Sequence, residues 1–132
     1  MAYAFEVAAV IPATPEEIFA AWMSSEEHSE MTGGAAEINP VVGGKFTAWD
    51  GYIWGTTLEL ESPRRIAQSW RTSQFADGEP DSKIEVILSP DSPGSTLLTI
   101  RHSEVPDDHR GYEDGGWLEN YFEPMQEYFA SR

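Results

Sequence analysis

The chain of 132 residues has no cysteine. Disulfides and thiolate metal sites are excluded, and a reducing compartment, the cytoplasm, is the expected location. Lysine is almost missing too: the sequence holds Lys45 and Lys83, and no Lys or Arg precedes Lys45. No run approaches the ~18 apolar residues of a membrane span. The first residues, Met1-Ala2-Tyr3-Ala4-Phe5-Glu6, lack the basic flank of a secretory signal, so neither leader nor membrane segment is expected. Gly-x-Ser-x-Gly does not occur, and Gly43-Gly44-Lys45 is followed by Phe46 rather than Ser or Thr. A hydrolase nucleophile elbow and a phosphate loop are thus absent. The histidines, His28, His102 and His109, include no pair at i, i+4 spacing, so no metal and no cofactor is expected. His28, flanked by Ser25-Glu26-Glu27 and Ser29-Glu30, reads as a surface residue, and His109 as part of an Asp-Asp-His-Arg loop.

Acid is abundant. Twenty-three Asp and Glu stand against eight Lys and Arg, for a formal net charge of −15. Such a surface repels phosphate backbones and anionic lipid, so neither nucleic acid nor a membrane surface is expected as a partner, while a neutral or basic partner is favoured. Solubility is the simplest use of the charge. A chain of this length forms one domain, residues 1–132, with a core that needs no staples.

The last residues organise the rest. Leu118, Tyr121, Phe122, Met125, Tyr128 and Phe129 recur at the spacing of one helical face, and Glu119, Glu123 and Glu127 fall opposite. Pro124 lies inside that helix and predicts a kink, because it cannot donate to the carbonyl of Asn120. At the other end, Tyr3 to Ile11 alternates as a strand. Thr14-Pro15-Glu16-Glu17 opens a helix with an N-cap, a proline at the first position and a capping-box Glu. Its apolar stripe is Ile18, Phe19, Trp22 and Met23. Ser24 and Glu27 repeat the pattern for a second short helix to about Met31, stopped by Gly33-Gly34. Strands are then expected over residues 36–38, 45–49, 52–61, 65–72, 83–88 and 96–102, punctuated by Gly and Pro turns. Asp50-Gly51 predicts a two-residue hairpin loop. The fold class is α+β: a curved antiparallel sheet of six to seven strands gripping a long C-terminal helix, with two short helices after the first strand.

Several stretches along this order resemble one superfamily, SRPBCC, which includes START lipid-transfer domains, birch-pollen-allergen-like proteins and polyketide cyclases. Within it the chain is similar to the AHSA-type group, activators of the ninety-kilodalton heat-shock chaperone's ATPase. The stretches are Ile11-Pro12-Ala13-Thr14-Pro15-Glu16-Glu17-Ile18-Phe19, then Gly43-Gly44-Lys45-Phe46 with Asp50-Gly51, then Pro63-Arg64-Arg65-Ile66 through Trp70-Arg71, and Gly116-Trp117 through Tyr121-Phe122-Glu123-Pro124-Met125. The resemblance implies a helix-grip fold, a single module like the C-terminal domain of the eukaryotic members, and a stress-related chaperone-accessory role.

Alternation assigns inner faces to Tyr52, Trp54, Thr56, Leu58 and Leu60; to Ile66, Gln68 and Trp70; to Ile84, Val86 and Leu88; and to Leu98, Ile100 and His102. Aromatic residues make up 12% of the chain, and Trp49, Tyr52, Trp54 and Trp70 are placed to share an apolar wall with the C-terminal helix. The expected cavity is lined by Trp54, Gln68, Trp70, His102, Trp117, Tyr121 and Met125. Gln68 and His102 are the polar intruders, able to orient a ligand or to be satisfied within the protein. The expected activity is non-enzymatic, with a small apolar ligand or the ninety-kilodalton chaperone as partner. The alternative is a cyclase- or hydrolase-like enzyme in which His102, paired with a carboxylate such as Glu104, acts as general base.

Overall fold

The computed structural model describes residues 3–106 and 116–131. Seven strands form one antiparallel sheet: β1 (Tyr3–Ile11), β2 (Glu37–Ile38), β3 (Lys45–Ala48), β4 (Ile53–Glu61), β5 (Arg65–Thr72), β6 (Ser82–Ser92) and β7 (Ser95–Val105). Their spatial order is β1-β7-β6-β5-β4-β3-β2. Helices α1 (Pro15–Trp22) and α2 (Ser25–Thr32) follow β1. The C-terminal helix begins with a π-helical segment, Leu118–Phe122, and continues as α3, Glu123–Ala130. The sheet curves around this helix, as the sequence predicts.

Local chemistry explains the helix ends. Thr14 Oγ1 accepts from Glu17 N at 3.2 Å, and Glu17 Oε1 accepts from Thr14 N at 3.0 Å, a closed capping box. Ser24 Oγ accepts from Glu27 N in the same way. The Glu27 carboxylate reaches instead to the C-terminal helix, accepting from Tyr128 Oη at 3.2 Å. Gly33 closes α2 at φ 87°, donating to the Ser29 carbonyl.

The kink expected at Pro124 takes the form of the π turn. Glu123 N donates five residues back, to the Leu118 carbonyl. Proline has no N–H for the Asn120 carbonyl and its ring crowds that oxygen, so the preceding turn widens. Widening rotates the residues before it. Leu118, expected on the apolar stripe, is 49% exposed, whereas Trp117 takes the inward place. Tyr121, Phe122, Met125 and Phe129 keep theirs.

Two expectations about β4 are corrected. The β3–β4 register pairs Ala48 with Ile53, so the connection is Trp49-Asp50-Gly51-Tyr52, four residues rather than two. Trp49, Asp50 and Gly51 all take positive φ. The loop is held by Asp50, whose N–H donates to the Ala35 carbonyl and whose Oδ1 accepts from Ala35 N. The Trp49 ring lies against Gly34, where a Cβ would stand 2.5 Å from the indole. Secondly, the inner face of β4 is Ile53, Gly55 and Thr57, all buried, while Trp54 and Leu58 point outward. A bulge between Thr57 and Glu59 then switches phase and returns Leu60 toward the core. With apolar residues on both parities, alternation could not decide the face.

Ile11, Ile18, Ile66, Ile84, Val86, Leu98, Ile100 and Met125 form the centre of the core. Each side chain of this size contributes about 1.5–3 kcal/mol by leaving water. Around that centre the interior becomes aromatic: Trp22, Trp70, Trp117, Tyr121 and Phe122 are all buried.

Candidate functional site

The C-terminal helix meets β4 and β5 at a small cleft of about 110 Å³. Among the described residues its lining is Tyr52, Ile53, Trp70, Gly116, Trp117, Asn120 and Tyr121. Strand β5 supplies Trp70, the turn before β4 supplies Tyr52, and the π segment presents Asn120 and Tyr121 beside Trp117. The rings touch: Trp70 and Trp117 centroids are 5.7 Å apart, and Trp117 and Tyr121 are 5.1 Å apart, both pairs tilted. Ligand pockets for drug-sized molecules usually run from ~300 Å³ upward, so this one suits a single small group.

The seven residues expected to line a cavity divide into three sets. Trp70, Trp117 and Tyr121 line the cleft. Gln68, His102 and Met125 are buried in the core behind it. Trp54 is a correction: it stands 38% exposed on the outer face, opposite Arg71 and Thr47. Ile53 and Asn120 were missed. Alternation anchored on Trp54, Leu58 and Leu60 put the first on the outer face, and the second falls on the polar side of an ideal α-helix until the π turn rotates it.

Gln68 is satisfied by the protein. Its Oε1 accepts from Trp22 Nε1 and its Nε2 donates to Thr57 Oγ1, both at 3.2 Å. His102 stands edge-on to Trp70, ring centroids 4.7 Å apart. Trp117 Nε1 donates to its Nδ1 at 3.3 Å. Ser82 Oγ donates to the Trp70 carbonyl, so its own contact with His102 Nε2, at 2.8 Å, is one in which the imidazole N–H donates. This fixes the neutral Nε2–H tautomer. Burial pushes the imidazole down to about 3, against its ordinary 6.5. A general base needs a lone pair facing its substrate, and the Nδ1 lone pair here faces an indole. Glu104 gives no support, being exposed and in left-handed backbone at φ 56°.

His28, expected at the surface, is instead buried at 3% exposure. Its Nδ1–H donates to the Trp22 carbonyl and its Nε2 accepts from Tyr121 Oη, both at 2.9 Å. Desolvation lowers its basicity, partly opposed by the carbonyl bond. Burial also raises the Tyr121 phenol. The missed signal was spacing: His28, Met31 and Thr32 fall at i, i+3, i+4 and are the buried face of α2. The expected role of His109 lies outside the described residues. Among the described residues no group of acids and histidines is arranged to hold a metal, and no helix is long and apolar enough to cross a membrane.

Charge is segregated. Segments α1, α2 and 118–130 carry Glu but no Lys or Arg. The sheet and its connections carry ion pairs: Arg65 with Glu59, Glu61 and Glu85, Arg71 with Asp81 just before β6, and Arg101 with Glu6.

A seven-stranded antiparallel sheet closed over a C-terminal helix, with an aromatic cleft between them, defines a helix-grip domain. The family model "Activator of Hsp90 ATPase homolog 1-like protein" matches residues 12–130, and the chain belongs to that family. The mouse "Activator of 90 kDa heat shock protein ATPase homolog 1" is 26% identical over 117 residues, covering 89% of this chain and 34% of the relative. Its human counterpart is 25% identical, with the same coverage. The chain therefore spans about a third of the length of the curated relatives it matches. In structure, an HSP90 activator from Plasmodium falciparum superposes with a TM-score of 0.83 at 23% identity, covering 96% of each chain. CalU16 from Micromonospora echinospora superposes at 0.79 with 22% identity, over 98% of this chain and 77% of that one. At these identities the superpositions establish the fold.

Proposed function

We propose that this protein is a non-enzymatic helix-grip module that holds one small apolar group in the cleft of Tyr52, Trp70, Trp117 and Tyr121. The observation that carries this reading is the internal bonding of His102: both ring nitrogens are engaged behind the two indoles. The cleft offers ring surface rather than a reactive group, and a cyclase- or hydrolase-like role for His102 is not favoured. A stress-related accessory role toward the ninety-kilodalton heat-shock chaperone is the second half of the proposal. It is supported by the names of the relatives and by the helical side of the molecule, which carries Glu without Lys or Arg.

The test is a titration of isotope-labelled protein with short acyl chains, flat aromatic compounds and the chaperone's middle domain. Saturable shifts at Trp70, Trp117 and Tyr121 are expected with the small compounds. Shifts along α2 and α3, weakened by salt and by Glu→Gln changes there, are expected with the chaperone. Failure of every compound at the rings would remove the first half of the proposal, and failure of the chaperone the second.

A further inference from the structure

We propose that the cleft is an aromatic cage for a methylated ammonium group, a specificity that rests on the small-ligand reading above. Four of its seven lining residues are Tyr52, Trp70, Trp117 and Tyr121. Ring faces carry the negative part of the aromatic quadrupole and attract a cation within ~6 Å of the centroid.

The polar edges of three of these rings are turned to the protein. Tyr52 Oη donates to Gln74 Oε1 at 2.8 Å. Trp117 Nε1 donates to His102, and Tyr121 Oη donates to His28. Asn120 uses its amide N–H on the Gly116 carbonyl at 2.9 Å. The side-chain donors of Tyr52, Trp117 and Tyr121 are thus engaged elsewhere, and although one face of Tyr121 is stacked on Trp22, what these residues turn to the cleft is ring surface. No Lys or Arg is among the described lining residues. Arg71, one residue from Trp70, is held by the Ala76 and Glu79 carbonyls and by Asp81, and lies over Phe75 at 5.4 Å.

The identity of the cation follows from hydration. No Asp or Glu is among those lining residues either. A bare ammonium or a metal ion would lose tightly held water without gaining a carboxylate. A quaternary ammonium sheds its weak hydration easily and presents methyl groups to the rings. Its bulk, about that of one aromatic ring, is on the scale of a cleft near 110 Å³, an enclosed apolar cavity that holds benzene being somewhat larger, about 150 Å³. A net charge of −15 raises the local concentration of any cation. The group could arrive on a free small molecule or on a methylated lysine of a protein.

Tetramethylammonium, choline and the uncharged choline isostere 3,3-dimethylbutan-1-ol are titrated separately, following the Trp70 and Trp117 indole resonances and the Tyr52 ring. The cations are expected to saturate the same resonances and to bind at least tenfold more tightly than the isostere. Tyr52→Leu should weaken the cations about fivefold and Tyr52→Phe should not. Tyr52 is a turn residue, 38% exposed, so both variants should fold. A peptide bearing trimethyllysine that binds at least tenfold tighter than tetramethylammonium, and its unmodified form not at all, would assign the group to a protein. Equal affinity would assign it to a free small molecule. Isostere and cations binding alike would overturn the cage and leave an apolar cleft. Ring resonances unmoved by all three probes would overturn the cage and the apolar-ligand reading together.

Discussion

Gln68 ties α1 to the sheet through one amide, with Trp22 on one side and Thr57 on the other. Gln68→Leu would leave an indole N–H and a hydroxyl unpaired in the core. The expected cost is about 2–3 kcal/mol, read as a lower urea midpoint with unchanged slope. The same substitution at no cost would mean the amide is not structural. Both buried histidines set a pH dependence. Near neutrality they are uncharged in the folded and the unfolded chain. As pH falls through 6.5, the unfolded chain binds protons that the folded one refuses, His102 being held at about 3 and His28 also below its ordinary value. Stability should therefore fall on acidification from 6.5 toward 3 through His102, by up to ~1.4 kcal/mol per pH unit, with His28 adding in the same direction. Long-range nitrogen spectra should show His102 as Nε2–H and His28 as Nδ1–H. A His102 that titrates near 6.5 would contradict the geometry.

At the scale of elements, much was legible. The limits of β1 and β5, the capped start of α1 and the glycine stop of α2 follow from alternation and from single side chains that can or cannot satisfy a backbone group. What was not legible came from two insertions of phase. The Thr57/Glu59 bulge and the π turn at Leu118–Phe122 each add a residue that no periodic template anticipates. They explain why Trp54 left the expected cleft and why Asn120 joined it. Trp70 was recognisable because β5 keeps its alternation, and Tyr121 because it keeps its place on the apolar stripe with Phe122, Met125 and Phe129 despite the π turn. Pro124→Ala tests the origin of the π turn. Restoring the N–H should let that turn close, raise helical ellipticity slightly and move the Trp117 indole resonance. An unmoved resonance would place the cause of the widening in packing rather than in the proline.

The whole molecule carries −15 on a single domain. Self-repulsion of this size opposes compaction, and added salt screens it, shortening the Debye length from ~30 Å at 0.01 M to ~3 Å at 1 M. The thermal midpoint should rise by several degrees between those conditions. A midpoint that falls would mean the strand ion pairs outweigh the repulsion. One further consequence lies in the sheet order. Among the described residues strand β1 pairs with β7 alone, Tyr3 with Val105 and Phe5 with His102. Helix α2 meets the C-terminal helix through His28–Tyr121 and Glu27–Tyr128. The first strand and α2 thus depend on partners from the last third of the chain, β7 and the C-terminal helix. On a translating ribosome, β1 emerges long before its partner β7, and α2 long before the C-terminal helix. The hairpins from β3 to β7 can form as they emerge, but the grip closes only once the last helix is free of the exit tunnel, and the apolar face of β1 stays bare until β7 arrives.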